Sequence, residues 1–333
     1  MKFVALFLFF ILIASAIEDR FDDENIVSLS YDKNDAAHFK YYENESHLIH
    51  WYEWWYANLK DGNEGVVAIF FTFGNLNSFA RLVGIFAAFL NESESIEAII
   101  CNPLIPFSLD YERCNVSIAG NRFYEKNGKF FVECKIKKFS LRMEIDALGV
   151  RYGSEAAIKN WQWAGWYVAA PYGNGKAWVE YDGQRKFIEG NAYHDHNWGF
   201  SKMHRFSWDW GEFNVANEYA IIYGIAGIGN EKRGGVHFIN SSTHIFIPCD
   251  KINVDYIEWK KFGWIKKPVK IHFYGEDENV SIDFYVELYK TYILGYKSVG
   301  KPYLLGKAYG KIKINEKERQ FSSIGFYEHH GKL

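Results

Sequence analysis

Phe139-Ser140-Leu141-Arg142-Met143-Glu144-Ile145 sets apolar and polar side chains in strict alternation. A period of two is the mark of a strand with one face on a core and one in water. The same pattern continues on both sides. Arg122 to Ile136 reads as a hairpin turning at Asn127-Gly128, a pair suited to the two left-handed positions of a type I′ turn. Val66 to Phe73, Lys176 to Tyr181 and Tyr219 to Ile225 add strands, and Ile282, Phe284, Val286 and Leu288 alternate after the polar turn Glu276-Asp277-Glu278-Asn279. There are only six prolines and no convincing long segment of helical period. Many short strands with frequent turn signals predict an all-β barrel or sandwich.

The first residues stand apart from this pattern. Lys2, the apolar run Phe3 to Ile13, Ala14-Ser15-Ala16 and the charged Glu18-Asp19-Arg20 have the parts of a secretory signal peptide. Cleavage is expected after Ala16, leaving a secreted or extracytoplasmic chain; an uncleaved anchor is the alternative. No later segment is apolar enough to cross a membrane. Asp22 to Glu24 is expected to be a solvated start to the mature chain. What remains is too long for one eight-stranded barrel, so two β domains in tandem are expected, 21–200 and 201–333. Trp161-Gln162-Trp163 and Trp208-Asp209-Trp210 give a faint echo between them.

A net charge of -3 without a strongly basic block argues against a nucleic-acid partner. Lys260-Lys261 and Lys266-Lys267 read as a solvated turn. Aromatic residues make up 19% of the chain, enough both to fill a β core and to line a cavity for an apolar small molecule. Sequons at Asn44, Asn91, Asn115, Asn240 and Asn279 suit a glycosylated, secreted surface. Cys101 and Cys114 flank a proline-containing loop and are the candidate disulfide, whereas Cys134 alternates with Val132 and Ile136 and is expected to point inward. Without a C-x-x-C pair a thiolate zinc site is not expected.

Chemistry concentrates in Tyr193-His194-Asp195-His196-Asn197-Trp198-Gly199. In an extended chain His194, His196 and Trp198 share one face, with Tyr193, Asp195 and Asn197 on the other. A proton donor and an aromatic ring on one surface suit an apolar substrate. Asp195, turned away from His196, is expected to anchor the strand or the domain junction. A second cluster, His50-Trp51-Tyr52-Glu53-Trp54-Trp55-Tyr56, offers Trp54 and Tyr56 as cavity walls and Glu53 as a carboxylate inside the cavity or at its rim. His194 and His196 could begin a metal site completed by His204, His50 or Glu53, but Trp198 and Asn197 are poor ligands and no metal is expected. Glu328-His329-His330 reads as an exposed tail. No G-x-S-x-G elbow or phosphate-binding glycine loop supports a hydrolase or a nucleotide cofactor.

Glu53-Trp54-Trp55-Tyr56 followed far downstream by Tyr193-x-Asp195-His196-Asn197-Trp198-Gly199 resembles the family of carotenoid 1,2-hydratases and AttH-like proteins, with fungal decalin-forming Diels–Alderases as distant relatives. The resemblance covers roughly Ser46 to the C-terminus. It implies two tandem lipocalin-like β-barrel domains with a pocket at or near their interface, and cofactor-independent chemistry on isoprenoid or polyketide chains. It implies roles for His196 and Trp198, with a tyrosine and an aspartate on a later strand. Tyr223 fills the tyrosine place in Ile221-Ile222-Tyr223-Gly224-Ile225, while an apolar residue stands where the acid is expected. Two functions follow: an enzyme that hydrates or cyclises an alkene by protonation, or a non-catalytic lipid or isoprenoid carrier outside the cytoplasm.

Overall fold

Asn127 and Gly128 adopt φ of 54° and 77°, and the expected hairpin closes around them. The computed structural model describes residues 35–330 except 63, 92–94, 160, 204–205, 216–217, 229, 263–264 and 295–300. The expected signal peptide, Asp22 to Glu24 and His204 lie outside the described residues. The chain divides into two compact units, Met1–Arg205 and Phe206–Leu333.

The first unit opens with a short helix α1 (Phe39–Tyr42) and continues as β1 (Trp51–Asp61), β2 (Glu64–Gly74), β3 (Arg81–Leu90) and β4 (Ser95–Asn102). There follow β5 (Phe107–Leu109), β6 (Asn115–Ile118), β7 (Asn121–Lys126), β8 (Lys129–Ile136), β9 (Phe139–Leu148), β10 (Tyr152–Lys159), β11 (Gln162–Tyr181) and β12 (Gln184–Phe200). Their order in the sheet is β4-β3-β2-β1-β12-β11-β9-β8-β7-β6-β5, with β10 beside β11. The second unit holds β13 (Phe206–Val215), β14 (Tyr219–Ile228), β15 (Glu231–Ile239), β16 (His244–Pro248), β17 (Ile252–Phe262), β18 (Ile265–Asp277), β19 (Val280–Leu294), β20 (Lys301–Ile314) and β21 (Lys317–His330). Its order is β16-β15-β14-β13-β21-β20-β19-β18-β17. Each sheet is a curled half-barrel, and the architecture is that of two tandem lipocalin-like barrels.

Both sheets are wound alike. The chain steps outward through its first four strands, restarts at the far edge, and returns until the last strand pairs antiparallel with the first, β12 on β1 and β21 on β13. The Trp161/Trp163 and Trp208/Trp210 pairs do not match in this scheme. Trp163 belongs to the penultimate strand of its unit, whereas Trp208 and Trp210 belong to the first strand of theirs. Alternation is obeyed where the reading began: Phe139, Leu141, Met143 and Ile145 are all buried. Each unit has its own core, the first around Trp51, Trp55, Phe70, Phe123 and Trp198, the second around Phe213, Tyr223, Phe273, Phe284 and Tyr327.

The expected disulfide is absent, for Cys101 and Cys114 are both free thiols. Cys101 faces Gly84 across β3 and β4, while Cys114 is buried and hydrogen-bonded to the Asp35 carboxylate. The lysine cluster also divides. Lys260 and Lys261 are exposed as expected, but Lys267 is buried with its ammonium on the His329 carbonyl oxygen.

Candidate active site

Register decides which side chains of the two motifs meet. On β12 the inward residues are His194, His196 and Trp198, and the residues facing them across β1 are Ala57, Trp55 and Glu53. The Trp55 ring lies nearly parallel to His196 with centroids 4.4 Å apart. Two glycines border Trp198, and the first makes room for its ring. Gly165 sits opposite it on β11, where a Cβ would come within 2.5 Å of the indole. Gly199 follows it at φ 149°, where a side chain would strike the Trp163 carbonyl. The free face of the indole is covered by the His38 ring, stacked at 3.8 Å and 1°.

Asp35 and His38, just before α1, complete the cluster. Glu53 Oε1 accepts the His38 backbone N–H at 2.6 Å and lies 3.2 Å from His196 Nε2 and 3.4 Å from His38 Nδ1. Asp35 Oδ2 lies 2.7 Å from His194 Nε2, and Asp35 Oδ1 is 3.5 Å from His196 Nδ1. All five side chains are buried. His194 Nδ1 also points at the Tyr56 carbonyl oxygen, 2.8 Å away. A carbonyl can only accept, so His194 Nδ1 donates to Tyr56. Both ring nitrogens of His194 are thus engaged, one by the Tyr56 carbonyl and one by Asp35.

The electrostatics agree. Burial pushes the Asp35 carboxyl upward, but the charge and hydrogen bond of His194 outweigh it, and the group stays below its ordinary range. Glu53 behaves alike: burial raises it, hydrogen bonds from His196 and His38 lower it further, and the net direction is down. Burial holds His196 below its usual value against the pull of Glu53, so at neutral pH it is an uncharged imidazole donating to that carboxylate. Among the described residues, Asp35 Oδ1, Glu53 Oε2 and His196 Nδ1 are buried and find no hydrogen-bond partner. Unspent polar capacity on three neighbouring residues is costly in a core and fits a site that takes a water or a substrate hydroxyl.

The other expected residues fall elsewhere. Trp54 and Tyr56 do not wall the His196 site; being one residue out of phase with Glu53 and Trp55, they share the opposite face with Asp195. There Asp195 accepts hydrogen bonds from Trp166 Nε1 (3.0 Å), Tyr193 OH (2.8 Å) and Asn197 Nδ2 (2.9 Å). Burial nonetheless pushes its carboxyl up to about 6. It anchors its strand, and takes no part in the His196 cluster. Tyr223 belongs to the second unit, buried with its ring edge-on to Phe273 at 4.5 Å. The carboxylate missing from its strand is carried next door: Ile225 pairs with Asp209 on β13. His329, expected in an exposed tail, is buried and bonded to Asp209 at 2.6 Å. Asp35, His38 and Asp209 went unnoticed in the sequence, since nothing local marks a lone acid or histidine whose partners lie on distant strands.

Among the described residues, two sets of donors are close enough to hold a cation, Asp35/Cys114/His194 and His38/Glu53/His196. In the first, His194 Nδ1 is already held by the Tyr56 carbonyl and Nε2 by Asp35 itself. In the second, the same contacts are the hydrogen bonds that keep Glu53 ionised. His50, offered as a third ligand, lies instead beside Trp161, 5.1 Å between centroids.

No protein-family model and no curated protein matches the sequence. Solved structures do. The chain is similar to an AttH candidate from Nitrosomonas europaea at 13% identity and a TM-score of 0.66, over 93% of this chain and 99% of that one. Kievitone hydratase from Nectria haematococca aligns at 14% identity and a TM-score of 0.57, over 83% and 88% of the two chains. CghA, also solved with Sch210972, aligns at 9% identity and a TM-score of 0.54, over 86% and 90%. In fold, therefore, the chain is of the AttH-like type, two tandem lipocalin-like β-barrel units.

Proposed function

We propose that the chain is a cofactor-independent hydratase or cyclase that protonates an alkene in an apolar, isoprenoid- or polyketide-like substrate. The observation that carries this reading is the buried Asp35–His196–Glu53 set, flanked by Trp55 and Trp198, with an unpartnered polar atom on each of its three members. Charged with one proton, His196 becomes an imidazolium between two carboxylates. It gives that proton to the alkene carbon, and the indole faces stabilise the resulting cation. In hydration a water adds to the cation and its surplus proton returns to the cluster through Asp35 or Glu53, so the catalyst is restored. In cyclisation a second double bond takes the place of the water. Kievitone hydratase, one of the structural neighbours, carries a hydration in its name, which supports the choice of chemistry. The mature chain belongs outside the cytoplasm on this reading, and its N-terminus should be Ile17.

The test is to incubate the purified protein with an isoprenoid-rich lipid extract in H2¹⁸O and to analyse the organic phase by mass spectrometry. An alcohol carrying one ¹⁸O, or a cyclised isomer, is expected from the wild type and not from His196→Ala. A lipid retained unmodified, with no product, would replace this reading by that of a carrier.

A further inference from the structure

The first unit builds its site from a carboxylate on its first strand and a histidine on its last. The second unit repeats the construction. Asp209 on β13 and His329 on β21 are direct cross-strand partners, both buried, with Asp209 Oδ1 2.6 Å from His329 Nδ1. The carboxylate also accepts hydrogen bonds from Tyr327 OH at 2.7 Å and from Tyr256 OH. With two tyrosine hydroxyls already donating to Asp209, the tautomer that fits is the one in which His329 Nδ1 donates to it as well. Nε2 is left with a lone pair and makes no hydrogen bond among the described residues. A carboxylate that fixes the tautomer and leaves the far nitrogen basic is the arrangement of a general base.

Two further features lie beside His329. The register of β17 against β18 slips between Tyr256 and Trp259, and this bulge turns both rings toward His329, edge-on at 5.4 and 5.7 Å. Trp259 keeps 38% of its surface exposed, so an aromatic face is on offer beside the base. Positive charge lies close by: the Lys266 ammonium stands 5.5 Å over the Trp259 ring, and the Lys267 ammonium rests on the His329 carbonyl oxygen. A ligand that stacks on an indole and gives up a proton next to two ammonium groups is an aromatic molecule with an acidic hydroxyl.

We propose that Asp209, His329 and Trp259 form a second acid–base site, independent of His196, which binds a phenolic ligand and takes its hydroxyl proton onto His329 Nε2. The O–H bond breaks as the N–H bond forms; the imidazolium is held by Asp209 and the phenolate by the lysines. No redox partner is required.

The full chain, with ¹⁵N-labelled histidine and tryptophan, is titrated with 2-naphthol as the probe and followed by NMR. Ring ¹⁵N shifts of free His329 should report a proton on Nδ1 and a bare Nε2. Saturating 2-naphthol should move the His329 ring and Trp259 indole signals, and the naphtholate absorption should appear at a pH where free 2-naphthol is neutral. Trp259→Ala, at a half-exposed position that does not threaten the core, should weaken binding at least tenfold, about 1.4 kcal/mol. His329→Gln should abolish the naphtholate signal. His196→Gln should leave the His329 response as in the wild type. A proton found on Nε2 in the free protein, His329 signals unmoved by the probe, unchanged binding in Trp259→Ala, or a response lost in His196→Gln would each overturn the proposal.

Discussion

Asp195 and Glu53 are buried carboxylates on adjacent strands, and their surroundings drive them in opposite directions. Asp195 is dominated by burial and titrates near pH 6, above the ordinary 3.8. Its folded form binds a proton more readily than its unfolded form, so this group adds stability as pH falls from about 7 toward 4. Asp195→Asn removes that dependence. The unfolding free energy of the variant relative to wild type is expected to be higher at pH 7.5 than at pH 5, by about 1.4 kcal/mol. A difference independent of pH would show that Asp195 is ordinary. Glu53 lies below its usual 4.5, so its contribution is complete above that value and is lost as pH falls through the folded-state value. Glu53→Gln should therefore cost stability at pH 7, roughly 1.5–3 kcal/mol for hydrogen bonds lost to a buried charged acceptor, and cost less in acid, where the wild-type carboxylate is itself neutralised. Paired denaturant titrations at pH 7 and pH 3 measure both ends. His196→Ala should lower turnover about 10²–10⁴-fold while ligand retention in the same protein stays within roughly tenfold.

At the scale of the element, the site depends on two strands lying in one register. A shift of β12 against β1 by one residue would exchange His196 for Asp195 or Asn197 on the inner face. Gly165 guards the seat of β12 on the other side, against β11, because the Trp198 indole fills the space a Cβ there would take. Gly165→Val should push the indole off its seat, cost about 1–3 kcal/mol as overpacking does, and change the near-ultraviolet circular dichroism without changing the strand signal in the far ultraviolet. Unaltered near-ultraviolet spectra would mean that Trp198 is held by other contacts. Alternation alone was enough to read much of this. It placed His194, His196 and Trp198 on one face and Asp195 on the other, and it separated Glu53 from Trp54 and Tyr56. Trp54 and Tyr56, offered as cavity walls, fall on the face that the same alternation sets opposite Glu53 and Trp55. Periodicity could not supply the partners from outside the strand. Asp35 and His38 reach the cluster from a short stretch without strand pattern, and Cys114 meets Asp35 rather than Cys101 because the fold, not the loop between the cysteines, sets its neighbours. His329 escaped notice because a terminal Glu-His-His looks like a solvated tail until β21 is known to pair with β13.

For the whole molecule, the two cores are separate, and each is closed by its own first and last strands. Deleting residues 315–333 removes β21 and leaves Asp209 a buried charge without His329 or Tyr327, a loss of about 3–5 kcal/mol beyond the lost packing. The second unit should then fail to fold while the first persists. Limited proteolysis should give a protected fragment ending near residue 205, and complete digestion would show that the first unit needs the second. Closure of each sheet by its terminal strands also bears on synthesis. Glu53 leaves the ribosome 143 residues ahead of His196, and Asp209 leaves 120 ahead of His329. At about 5–20 residues per second, the carboxylate strand of the first unit waits roughly 7–30 s for the strand that closes it. Throughout that interval the nascent chain offers an unpaired edge rich in indole rings, so the residues that complete each site are also the ones that end the period in which a chaperone is most needed.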